Sequence, residues 1–499
     1  MKRRTFIPLG MAALAGCQQS TSFDPFADYS SLASACDRGE LDPARITSHC
    51  LERIEDMDHA GLAIRAVIEV NPEALKIAEG GRKGTLGGLP ILVKDNIDTA
   101  DAMQTTAGSL ALLGSKPARD AFIIQRLRQA GMVLLGKTNL SEWANMRSPK
   151  SSSGWSARGG LTRNPVLLTH SASGSSSGSA AAVAVGYAPG AIGTETNGSI
   201  ISPASACGIV GLKPTVGLVS RSGIIPITHW QDTAGPMTRT VRDAALLLNV
   251  IAGTDPADEQ TKEADQRRAV DYTKALRPDA LKGKRLGVVR EMAGSDAAVL
   301  SVFENTLGVL RSAGAVIIDP VALPNQREIG GLSMTAMLVE LRTDLNAYLA
   351  ARGGPVKSLA DVIAFNEAHR DEEMPWFGQE FFELAETLGL PEALEKGRQA
   401  REAARRLAGP EGIDVALAEH GLDALICPTS DPIGLIDLAN GDGHLRVAST
   451  PAAVSGFPHL TVPMGEVGGL PVGLSFFAGA WSDGDLLAMG HAFEIAKLS

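Results

Sequence analysis

The sequence predicts an α/β protein folded as one layered domain. Short apolar runs of strand length alternate with stretches of helical period along most of the 499 residues. The composition agrees, because 44% hydrophobic and 20% charged residues suffice for a sizeable core. No internal repeat, low-complexity tract or interdomain linker breaks the pattern once the first 26 residues are passed.

Those first residues form a separate unit. Lys2-Arg3-Arg4 precedes an apolar run from Phe6 to Ala15, too short to span a bilayer as a helix. The run ends Leu14-Ala15-Gly16-Cys17, the small-residue pattern of a bacterial lipoprotein cleavage site. Residues 1–16 are therefore read as a signal peptide of twin-arginine type. Residues 17–26 are read as a polar tether with lipid attachment at Cys17, and 27–499 as the folded domain. The expected location is periplasmic or elsewhere in the cell envelope.

The elements then follow in order. Asp42-Pro43 opens a helix to Met57 whose stripe is Ile46, Cys50, Leu51 and Ile54. Leu62–Val70 is strand-like, and Asn71-Pro72 opens a further helix. Leu89–Lys94 is an apolar strand ending on a lysine. Phe122–Ala130 reads as a helix, Met132–Leu135 as a buried strand, and Ala180–Val185 as a small-residue helix suited to close packing. Arg285–Val289 and Ala315–Ile318 are strands separated by a helix over 297–313. From about 333 to 420 strand signals vanish and helical periodicity takes over, which predicts a helical insertion. It serves either as a wall of a substrate cleft or as plain packing. Strands return at Ala424–Ile426, His459–Val462 and Val472–Phe477, and a helix follows Asp483.

Several function classes fall away. The formal net charge is −10, and removing Lys2, Arg3 and Arg4 makes it more acidic, which argues against nucleic acid as a partner. Gly131–Thr138 matches phosphate-loop spacing, but its four intervening residues are apolar and read as a strand. Gly174–Gly178 matches a nucleophile elbow without the preceding hydrophobic strand or a downstream histidine that completes it. His49, His59, His170, His229, His369, His420, His444, His459 and His491 show no metal-ligand spacing. Cys36 and Cys50 can pair in an oxidising compartment, but the reading taken is of four unpaired, mostly buried thiols, with Cys207 and Cys427.

What remains is two serine-bearing, glycine-rich turns and one lysine. Ser173-Gly174-Ser175-Ser176-Ser177-Gly178-Ser179 runs into the small-residue helix, and Glu195-Thr196-Asn197-Gly198-Ser199 follows it. A serine hydroxyl attacks a carbonyl at neutral pH only if something accepts its proton. Lys94, desolvated at the end of an apolar strand, is the candidate acceptor. The pattern points to a serine hydrolase using Ser/Lys chemistry, against the plainer reading of a Ser-Gly linker and a salt-bridged surface lysine.

These segments, with Cys207–Thr215, Asp232–Arg239 and Leu460–Gly465, resemble the amidase signature family from about residue 30 to the C-terminus. Within it the chain is similar to bacterial peptide amidases. The resemblance implies a single large domain with a central mixed β-sheet covered by helices on both faces. It implies Ser199 as the acyl-forming nucleophile, Ser175 as a bridging serine after a cis Gly174–Ser175 bond, and Lys94 as the ultimate base. Backbone N–H groups of Thr196, Asn197, Gly198 and Ser199 would form the oxyanion hole. Lys94 must then be neutral, its pKa falling from about 10.4 to near neutrality at a cost of roughly 4 kcal/mol.

Two departures stand out. Glu195 and Asn197 replace the Asp and Gly of the common Asp-Thr-Gly-Gly-Ser run, and Ile201 stands where many members carry arginine. Asn tolerates left-handed backbone, so the turn is expected to form. The expected activity is release of ammonia from carboxamides, the C-terminal amides of peptides foremost, without metal, cofactor or obligate protein partner. The rival readings are a broad aliphatic or aryl-acyl amidase, a glutamine amidotransferase-type subunit, and a non-catalytic solute-binding lipoprotein.

Overall fold

The computed structural model describes residues 23–443 and 445–498. Most of the signal and tether assignments, Cys17 included, therefore lie outside the described residues. Phe23–Phe26 already rest on the domain, ahead of the expected boundary at residue 27. Phe23 stacks on His49 at 5.0 Å, and Arg239 donates to the Phe26 carbonyl at 3.2 Å.

The strands are β1 (Val67–Val70), β2 (Pro90–Lys94), β3 (Val133–Thr138), β4 (Trp155–Ser156), β5 (Gly160–Leu161), β6 (Gly190–Glu195), β7 (Val210–Lys213), β8 (Thr233–Thr238), β9 (Arg285–Val288), β10 (Val316–Ile318), β11 (Ala424–Pro428), β12 (His459–Val467) and β13 (Leu470–Phe477). Eleven of them form one mixed sheet in the order β1-β3-β2-β6-β8-β7-β12-β13-β11-β9-β10, while β4 and β5 make a small separate ribbon. Strand β2 runs parallel to both β3 and β6, whereas β6, β8, β7, β12 and β13 are antiparallel in succession. Helices cover the sheet on both faces, as expected.

Every strand read from the sequence is present, with shifted bounds. Leu62–Val70 shrinks to β1 because Ala63 and Arg65 adopt positive φ and turn the chain. The helix opened by Asp42 ends at Ile54 and loosens into a π-turn over Glu55–Ala60. Strands β6, β7 and β8 carry no clear sequence signal, because glycine and proline dilute them. Their composition answers a packing demand. A Cβ on Gly193 would sit 2.6 Å from Met237 Sδ of the neighbouring strand β8 and 2.8 Å from Oγ of Ser176, which caps helix Ser177–Ala184.

The helical insertion begins at Gln326, somewhat before residue 333, with a helix running to Arg352. It buries Leu338, Leu341, Leu345, Leu349 and Phe382 against Trp143, Ile225 and Ile227 of the main domain. A buried ion pair fastens it. Arg147 meets Glu142 at 2.6 Å and Glu373 of the insertion at 3.6 Å, with the guanidinium 4.3 Å from the Phe377 ring centroid. The four thiols at Cys36, Cys50, Cys207 and Cys427 are free.

Candidate active site

Register brings the lysine to the serines. Strands β2 and β6 are parallel neighbours, with Leu92 opposite Ala191 and Val93 opposite Ile192. Their carboxyl ends therefore finish side by side, Lys94 on one and Thr194-Glu195 on the other. Open α/β sheets characteristically place their sites at such ends. Ser175 lies just ahead of the helix that leads into β6, and Ser199 ends the turn that leaves it. The Ser176 N–H donates to the Ser199 carbonyl at 3.1 Å, joining the two turns. The Gly174–Ser175 peptide is cis. No side chain fits at residue 174, because its Cβ would lie 2.2 Å from Ser141 Oγ.

Lys94 is fully buried, and its Nζ lies 2.7 Å from Ser175 Oγ and 2.9 Å from Thr194 Oγ1. Burial lowers its pKa to about 7, against an upward pull from Asp232 and Glu195. Lys137 and Lys213 are also fully buried, each with its pKa lowered to about 8 by burial. They hold backbone carbonyls, of Ile97 and Pro214 respectively, and so serve the fold. What marks Lys94 is its contact with a serine hydroxyl. Ser175 is buried, while Ser199 keeps partial access to solvent, as an attacking group requires.

The turn after β6 is held by a carboxylate. Glu195 accepts from the N–H groups of Gly198 and Ile200 at 2.8 Å and of Ile201 at 3.1 Å. Of the four expected oxyanion donors, the Gly198 N–H is thus already committed to Glu195. The left-handed residue is Gly198, at φ +86°, and not Asn197. Asn197 instead works through its side chain, accepting from Ser449 Oγ at 2.6 Å. Behind the turn, Thr196 Oγ1 donates to Asp232 at 2.5 Å, and the Thr196 carbonyl accepts from Gln231 Nε2 at 3.2 Å.

Sequence reasoning misses Glu195, Asp232 and Gln231 as site residues. Glu195 and Asp232 stand inside the quoted motifs, but only the fold shows which atoms they bind. The dismissed motifs stay structural. The segment Gly131–Thr138 contains the fully buried strand β3, and Ser176 Oγ bonds the backbone of Thr194. Among the described residues one Ser–His contact exists, His459 Nε2 to Ser475 Oγ at 2.6 Å. It is sealed within the sheet, and burial, then Lys213, lower the imidazole pKa to about 3. His444 lies outside the described residues. Among the described residues no three His, Cys, Asp or Glu side chains converge as metal ligands would.

A buried lysine in contact with a serine hydroxyl, and a partly open serine one turn away at the end of parallel strands, fit a hydrolase that acts on amide C–N bonds. The chain belongs to the amidase family, whose model matches residues 45–487. It is 42% identical over 475 residues to an Arabidopsis thaliana protein described as a probable amidase, covering 91% of this chain and 88% of that one. It is 35% identical over 480 residues to one subunit of the glutamyl-tRNA(Gln) amidotransferase of Chloroflexus aurantiacus, covering 91% and 93%. Among solved structures it is similar to a peptide amidase bound to the competitive inhibitor chymostatin, at 50% identity and a TM-score of 0.91, covering 95% of this chain and 98% of that one. A native peptide amidase of Stenotrophomonas maltophilia matches at 49% identity and a TM-score of 0.89, covering 95% and 97%.

Proposed function

We propose that this amidase releases ammonia from the C-terminal amides of peptides, through an acyl-enzyme on Ser199. The reading is carried by the 2.7 Å contact between the buried Lys94 amine and Ser175 Oγ. Neutral Lys94 takes the Ser175 proton while Ser175 takes that of Ser199, and the Ser199 oxygen attacks the carboxamide carbon. The oxyanion that develops is met by backbone N–H groups of the turn. Thr196, Asn197 and Ser199 supply them, since Gly198 serves Glu195. The proton returns through Ser175 to the amide nitrogen, the C–N bond breaks and ammonia leaves. Water then enters, gives its proton to the same relay and adds to the acyl carbon. Collapse of that adduct frees the carboxylic acid and restores Ser199.

Peptide amides are favoured over glutamine or simple amides by the 50% identity to a peptide amidase, against 35% to the amidotransferase. The deciding experiment measures ammonia release from the purified chain on peptide amides, acetamide, aryl amides and glutamine. Turnover concentrated on peptide amides supports the reading. Turnover confined to glutamine, or needing a second protein chain, sinks it.

Export belongs to the same proposal. The run Lys2-Arg3-Arg4 and the sequence Leu14-Ala15-Gly16-Cys17 support secretion with a lipid on Cys17. Detergent-phase partitioning of the native chain, lost on Cys17→Ser, is the expected result; equal partitioning of both removes the anchor.

A further inference from the structure

A cavity of about 240 Å³ lies between His229-Trp230, helix Gln326–Arg352 and helix Pro391–Ala408. It is open to solvent and holds roughly one side chain, being smaller than the ~300 Å³ of a typical small-molecule pocket. Trp230, Val339 and Leu394 give it apolar surface, and charged groups line the rest.

The charges pair off with one exception. Arg401 holds Glu340 at 2.8 Å, His229 Nδ1 meets Asp344 at 2.7 Å, and Arg398 serves Glu402 and, at 2.7 Å, Glu395. Arg405 has no carboxylate or carbonyl partner for its side chain among the described residues. Its guanidinium lies 5.3 Å from the Trp230 ring centroid. Burial and then the neighbouring Arg401 both disfavour its charge, and Glu340 only partly offsets them. A planar fork lying over an indole face at that distance keeps N–H groups for a flat, two-oxygen acceptor. A carboxylate fits that description.

One buried side chain links the cavity to the turn after β6. Gln231, next to Trp230, donates to the Thr196 carbonyl at 3.2 Å, and its own carbonyl oxygen accepts from Arg401 and, at 3.0 Å, from Ser333. We infer that Arg405 and Trp230 form a subsite for a carboxylate, supplied by an acidic side chain of the peptide upstream of the amide being cleaved. This rests on the peptide-amide reading above.

The test uses pairs of peptide amides that differ only by Asp or Glu against Asn or Gln at successive upstream positions. At one position the acidic member should show a KM about tenfold lower, the size of one hydrogen-bonded charge pair. That ratio should fall to about one in Arg405→Met and to an intermediate value in Arg405→Lys, which keeps the charge and loses the fork. Arg405→Lys also serves if Arg405→Met fails to fold.

A second arm adds N-acetylglutamate and reads the melting temperature. A rise in the native chain that is absent in the Arg405 variants, without an acidic-peptide preference, supports the carboxylate site and assigns it to a free acid. Ratios near one at every position together with no Arg405-dependent rise overturn the inference. If no peptide amide yields ammonia at all, the functional reading fails instead, while the N-acetylglutamate arm still judges the cavity.

Discussion

At the scale of single residues, the proposed base Lys94 should govern both rate and stability. Its pKa of about 7 means that kcat/KM should fall tenfold for each pH unit below about 7 and level off above it; a flat profile from pH 5 to 9 would remove Lys94 as the base. The same shift has a thermodynamic sign. Between about pH 7 and 10.4 the unfolded chain holds a proton on Lys94 that the folded chain has released. The stability of the native chain relative to Lys94→Met should therefore rise across that window and stay flat below it, as read by denaturant midpoints. Ser199→Ala should lower turnover about ten-thousandfold or more while changing stability by under about 0.5 kcal/mol, because its hydroxyl is partly exposed and has no described partner. The triad candidates were legible because a lysine in an apolar strand and serines in glycine turns contradict their surroundings. Glu195 and Asp232 were not, since a carboxylate that binds backbone N–H groups leaves no mark in residue spacing.

At the scale of elements, the turn after β6 owes its shape to Glu195 behind it. Glu195→Gln replaces one accepting oxygen with an amide that cannot receive the N–H groups of Ile200 and Ile201. Steady-state kinetics should show kcat down by about ten- to hundredfold with KM little changed, as for loss of a preorganised donor. The insertion depends on its buried charges in a different way. Arg147→Met strands Glu142 and Glu373 without their cation and should cost about 3–5 kcal/mol in unfolding experiments. Helices and apolar strands announced themselves through period, whereas β6, β7 and β8 did not. Position 193 must be small because Met237 of the neighbouring strand and the helix-capping Ser176 crowd it, and that requirement erases the β-branched pattern by which strands are recognised.

At the scale of the whole molecule, the layered α/β class followed from alternation, but the strand order did not. The crossings that place β6 between β2 and β8 depend on long-range pairing that no local pattern encodes. The molecule also has a polarity. Tyr29, close to the first described residues, donates its hydroxyl to the carbonyl of Pro90 at the start of β2, and its ring lies 3.0 Å from where a Cβ on Gly190 would stand at the start of β6. Lys94 and Thr194 stand toward the far ends of those two strands, about 13 Å away. Tyr29 and the Lys94–Ser175 contact thus sit at opposite ends of the same strands. If the leading segment moors the domain as proposed, the Lys94 end of the sheet would face outward, away from the mooring.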